Sequence, residues 1–89
     1  MKESYLEITF RKGRPIAAYL YLPRQGPEKS YRTSRADPGL IVDYSRSGKP
    51  IGIEITAPTK VTAAALNRVL RDIGMPTIKS SDLGPLPAA

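Results

Sequence analysis

The sequence has no cysteine and no histidine. Without cysteine there are no disulfides, no thiolate metal site and no cysteine nucleophile. Without histidine the common catalytic triads and imidazole ligation are closed as well. Tryptophan is absent too and phenylalanine occurs once, so the aromatic character rests on five tyrosines. No apolar run approaches the roughly 18 residues of a spanning helix, so a membrane is not an expected partner. The opening Met1-Lys2-Glu3-Ser4-Tyr5 runs straight into a strand-like segment without a signal-peptide core, which points to a cytoplasmic protein. Acids are sparse: eight against fourteen basic residues give a net charge of +6, a bias towards acidic partners, whether nucleic acid or an acidic protein face. The glycines lack the spacing and the lysine-serine ending of a phosphate loop.

At 89 residues the chain suggests one domain with a modest core, a size at which a partner subunit adds useful burial. Tyr5 to Phe10 alternates, with Leu6, Ile8 and Phe10 on one face of a predicted strand. Arg11 to Pro15 is a turn, and Ile16 to Leu22 is a second strand, antiparallel to the first, with Ile16, Ala18, Leu20 and Leu22 on one face and Tyr19 and Tyr21 on the other. Pro23 to Pro27 is a loop. Glu28 to Arg35 is polar and reads as a short edge strand, where charge discourages pairing with other chains. Ala36-Asp37-Pro38-Gly39 is a turn.

The stretch from Gly39 to Pro58 reads as a hairpin. Leu40, Ile41, Val42 and Tyr44 make one apolar run; Ile51, Ile53 and Ile55 make another, on one face, with Gly52 and Glu54 on the opposite face. Ser45-Arg46-Ser47-Gly48-Lys49 joins them, with a glycine suited to a tight loop. After Pro58 the period changes from 2 to about 3.6. Val61, Ala65, Leu66, Val69, Leu70 and Ile73 form the stripe of an amphipathic helix, with Thr59 or Thr62 as its cap and Gly74 and Pro76 as its exit.

The Gly-Leu-Ile-Val-Asp-Tyr strand at 39–44, the glycine turn and the Gly52-Ile53-Glu54-Ile55 strand resemble the signature of a small bacterial family catalogued as domain of unknown function twenty-two eighty-three. Ala18-Tyr19-Leu20-Tyr21-Leu22 is similar to that family's upstream strand, and the resemblance runs over about residues 5–57. The family commonly places acids in its first connection, where this chain has the basic Phe10-Arg11-Lys12-Gly13-Arg14. The resemblance therefore implies a fold without carrying over a role for those acids, such as cation binding.

Few residues suggest catalysis. Ser45, Ser47 and Lys49 would allow a serine–lysine pair, but serine and lysine are ordinary loop residues. Asp43 and Glu54, on neighbouring strands, would allow an acid–base pair or a hard-cation site, against the commoner reading of two solvent-facing carboxylates. The stronger material for binding is basic and aromatic: Arg11, Lys12 and Arg14 in the first turn, Tyr19 and Tyr21 on the second strand, Arg32 and Arg35 around Tyr31, and Arg46 and Lys49 in the hairpin loop. Tyrosines on a basic sheet would stack bases. They equally suit packing beneath the helix or self-association, the reading favoured here.

The sequence thus predicts an α+β fold, an antiparallel β-meander of four or five strands in sequence order with one C-terminal helix packed on one face. Residues 1–76 form this single domain and residues 77–89 a proline-containing C-terminal tail outside the core. The functional expectation is a non-enzymatic protein-binding module, antitoxin-like or regulatory by analogy, without cofactor or metal. A homodimer and an acidic protein partner are expected. Nucleic-acid binding through the basic turns, weak because those turns fall at opposite ends of the sheet, is the alternative, and a carboxylate-dependent enzyme the third.

Overall fold

The computed structural model describes residues 3–23 and 28–84. Five strands form one antiparallel sheet: β1 (Tyr5–Arg11), β2 (Arg14–Tyr21), β3 (Arg32–Asp37), β4 (Leu40–Tyr44) and β5 (Pro50–Ile55). One helix, α1 (Ala63–Asp72), follows. The α+β class and the C-terminal helix agree with the sequence reading. The strand order does not follow the chain: it is β1-β2-β5-β4-β3. A β1–β2 hairpin and a β3–β4–β5 meander are joined through β2 and β5.

Burial explains this order. In sequence order the third of five strands would lie at the centre. β3, with Arg32, Thr33, Ser34 and Arg35, has nothing apolar to bury there and takes an edge. β5 takes the centre, where Ile51, Ile53 and Ile55 are all buried. Each such isoleucine contributes about 1.5–3 kcal/mol when fully buried. The edge strand also lies later than predicted, starting at Arg32 and running to Asp37, so that only Pro38-Gly39 remains as turn. Proline holds φ near about −65°. Gly39 takes φ +80°, the left-handed second position such a turn requires.

One face of the sheet carries the core. Ala18 and Leu20 of β2, Ile53 and Ile55 of β5, and Leu40 and Val42 of β4 pack against Leu66, Val69 and Leu70 of α1. Thr62 caps the helix, its hydroxyl accepting from the Ala65 N–H at 3.0 Å. At the other end Gly74 (φ +78°) donates to Arg71 O, and Met75 N donates to Leu70 O at 2.8 Å, closing a Schellman turn.

Two packing expectations are corrected. Phe10 and Ile16 are 55% and 47% exposed instead of joining the core face. The register slips between Thr9 and Phe10, so Ile16 is an extra residue with no cross-strand partner and the hairpin tip is re-aimed. The chain beyond residue 76 is not outside the core at Ile78. Asn67 grips that residue's backbone from both sides, accepting from Ile78 N at 2.8 Å and donating to Ile78 O at 2.9 Å. The Ile78 side chain packs against the core cluster. A short 3-10 turn, Ser80–Leu83, follows. The predicted loop beyond Pro23, at 24–27, and the tail residues 85–89 lie outside the described residues.

Candidate functional site

The face of the sheet opposite α1 carries the chemistry. Pleating puts Tyr5 of β1, Tyr21 of β2, Gly52 of β5, Asp43 of β4 and Thr33 of β3 in one row across it. The adjacent row is Glu7, Tyr19, Glu54, Ile41 and Arg35. Tyr19 and Tyr21 therefore lie opposite the helix; they do not pack beneath it.

Tyr19 lies diagonally across the central strand. Its hydroxyl starts from β2, passes over Gly52 of β5 and donates to Asp43 Oδ2 of β4 at 2.7 Å. A Cβ on residue 52 would sit 1.9 Å from the Tyr19 hydroxyl oxygen, well inside any allowed contact. Glycine is thus required here by close approach of a side chain. Tyr21 packs edge-on against Tyr19 with centroids 4.7 Å apart, and donates to Glu7 Oε1 at 3.1 Å. Tyr5, half exposed, stacks on Tyr21 at 4.5 Å. Offset and edge-on pairs of this kind add about 0.5–1.5 kcal/mol beyond area burial. Three aromatic rings are held together, and the hydroxyls of Tyr19 and Tyr21 are tied to two carboxylates.

Asp43 and Glu54 do share this face. Asp43 stands opposite Gly52 and Glu54 opposite Ile41, so they are diagonal neighbours, and Asp43 is engaged by Tyr19. Among the described residues, no three His, Cys, Asp or Glu side chains converge as a metal site would require. The serine–lysine pair does not form. The buried Ser45 hydroxyl meets Ser47 Oγ at 2.9 Å and accepts from the Lys49 backbone N–H at 3.3 Å. The Lys49 ammonium lies 3.9 Å from Glu28.

The basic residues fall into separate groups. Arg11 and Arg14 pair at the end of the β1–β2 hairpin, and Lys12 occupies its turn with φ +51°. The antiparallel registers put this tip and the β4–β5 loop at opposite ends of the sheet. At the far end Arg46 lies over the Tyr31 ring at 5.5 Å and Arg32 over the Tyr44 ring at 4.3 Å. Glu28, Lys29, Ser30, Tyr31 and the loop residues Ser45 to Ser47 line a hollow of about 470 Å³ there. Arg35 stands apart from both groups, on the open face opposite Ile41. The split of the basic turns agrees with the sequence reading.

The triad of Tyr19, Gly52 and Asp43 was not singled out from sequence. Its one signal is a glycine inside an isoleucine-rich strand, a position that marks either a bulge or close approach. No curated protein and no solved structure matches the chain. The family match starts at Ala17, so β1, which lies within the expected stretch of about residues 5–57, falls outside the matched one. Residues 17–57, the part of the chain that carries Tyr19, Asp43 and Gly52, match the family described as Protein of unknown function (DUF2283).

Proposed function

We propose that this domain is a non-enzymatic protein-binding module whose contact surface is the open, tyrosine-bearing face of the sheet. The observation that carries the reading is the ordered array of Tyr5, Tyr21 and Tyr19, with Tyr19 locked across Gly52 to Asp43. Tyrosines fixed in place before binding offer large contact area at low entropic cost. The same face carries Glu7, Asp43 and Glu54, which repel phosphate, and this favours a protein partner over nucleic acid. The basic groups at the two ends of the sheet do not make a continuous phosphate track, which supports the same choice. Such a module suits a regulatory or antitoxin-like role, in which binding is itself the activity.

The test is affinity capture from the native host, with mass spectrometry of protein and nucleic acid together. The bait is the full chain, compared with a face variant (Tyr5→Ser with Glu54→Lys) and an end variant (Arg46→Glu with Lys49→Glu). A protein retained by the wild type and the end variant, and lost with the face variant, is the expected result. Nucleic acid retained near physiological salt of about 0.15 M, and lost on reversal of Arg11, Lys12 and Arg14, would overturn it.

A further inference from the structure

The open face is polarised along the β1–β2 hairpin. From tip to base its cross-strand pairs are Arg11 with Arg14, Thr9 with Ala17, Glu7 with Tyr19, and Tyr5 with Tyr21. The tip is basic. The body is acidic and aromatic, because Glu54 adjoins Tyr19 on β5 and Asp43 lies under the Tyr19 hydroxyl, with Arg35 the opposing charge at the far edge. Between the halves sit two small side chains, Thr9 and Ala17.

Resting on the reading of this face as the contact surface, we propose that its partner is the same face of a second copy, stacked about a two-fold axis that passes over the Thr9–Ala17 pair at right angles to the strands. Such an axis lays each strand of the hairpin over its own copy, running the opposite way. Positions equally distant from Thr9 then meet. Arg11 of one copy falls over Glu7 of the other, and Arg14 falls over Tyr19 beside Glu54. Each contact occurs twice, as a two-fold interface requires. Stacked sheets lie about 10 Å apart. The small Thr9 and Ala17 permit that approach at the axis, and arginine spans the gap to a carboxylate or a ring face. An axis parallel to the strands would bring tip over tip and oppose like charges. The arrangement also covers Tyr5 and Tyr21 with the partner's turn.

The test is a charge exchange. The full chain is prepared as wild type, as a tip variant (Arg11→Glu with Arg14→Glu) and as a face variant (Glu7→Lys with Glu54→Lys), and mass is followed by sedimentation against concentration. All four positions are exposed, so thermal unfolding should be little changed, and that is checked first. The wild type should dimerise, more weakly as salt rises. Each variant alone sets like charges against each other and should dissociate about tenfold or more readily. An equimolar mixture of the two restores both contacts and should form a heterodimer as tight as the wild type. A wild type that is monomeric throughout, reversals without effect, or a mixture that stays monomeric would each overturn the proposal. If the wild type is monomeric and the Tyr5→Ser, Glu54→Lys variant still loses a captured protein, self-pairing fails while the contact face stands. If that variant keeps its captured protein, the face reading fails.

Discussion

Gly52→Ala is expected to destabilise the domain through Tyr19 and not through the backbone. The added methyl carbon would stand 1.9 Å from the Tyr19 oxygen, 2.3 Å from Cζ and 2.5 Å from Cε2. The ring is the mobile partner, so it swings away. It then loses its hydrogen bond to Asp43, worth about 1.5–3 kcal/mol for a charged acceptor. It also loses some of its edge-on contact with Tyr21, about 0.5–1.5 kcal/mol when complete. Against this, replacing a strand glycine by alanine gains about 0.4–1 kcal/mol from the unfolded chain. The net cost is about 1–3 kcal/mol. A change of 1 kcal/mol moves the melting temperature of a domain this size by about 4–8 °C. The decisive measurement is the same substitution with Tyr19→Ala already present. With no ring to displace, Gly52→Ala should become neutral or stabilising by about 0.4–1 kcal/mol. In a Tyr19→Phe background the ring still crosses residue 52 but has no hydrogen bond to lose, so the substitution should cost about 1.5–3 kcal/mol less than in the wild type. Urea unfolding of the four-member cycle reads these signs directly. An equal cost in the presence and absence of Tyr19 would refute the reasoning.

Three further substitutions probe the scaffold. Ile53→Asp places an unpaired charge at a fully buried position of the central strand and should leave no cooperative unfolding transition; a soluble variant with unchanged melting would show that position 53 is not in the core. Truncation after Pro76 removes the partly buried contact of Ile78 and its two bonds to Asn67, an expected loss of about 2–4 kcal/mol in urea, and unchanged stability would show that the segment is not docked. Thr62→Ala removes the helix cap and should cost about 1 kcal/mol, with Thr62→Ser nearly neutral; equal losses in the two would exclude the hydroxyl as the cause.

Local pattern was sufficient where one segment decides its own state. Alternation defines β1, β2, β4 and β5, and the change of period at Pro58, with Thr62 and Gly74 in cap positions, defines α1. It failed where the outcome depends on competition between segments. The polarity of residues 28–35 demanded an edge, while a sheet in chain order placed that strand third of five. These demands conflict, and the larger burial of β5 decides. The departure at Ile78 has a similar cause. A segment with no period of its own is held by Asn67, a helix residue that reads from sequence only as part of a solvent-facing side.

The arrangement of the tyrosine-bearing face follows from that reordering. Had the strands run in chain order, β3 would separate β2 from β4, and Tyr19 would not face Asp43 across a single glycine. With β5 between them, one residue without a side chain opens a channel over the central strand, and a phenol on one side meets a carboxylate on the other. Tyr19, Asp43 and Gly52 are each unremarkable in the sequence: an aromatic in a strand, an acid near a turn, a glycine between isoleucines. Their relation exists only once the pairing of β2 with β5 is known. Asp43 read alone allowed an acid–base pair with Glu54 against the commoner reading of a solvent-facing carboxylate; read in register, it is the anchor that orders an aromatic surface. A surface ordered from within in this way has already lost much of its side-chain freedom before any partner arrives, which is the physical reason to look for the partner there.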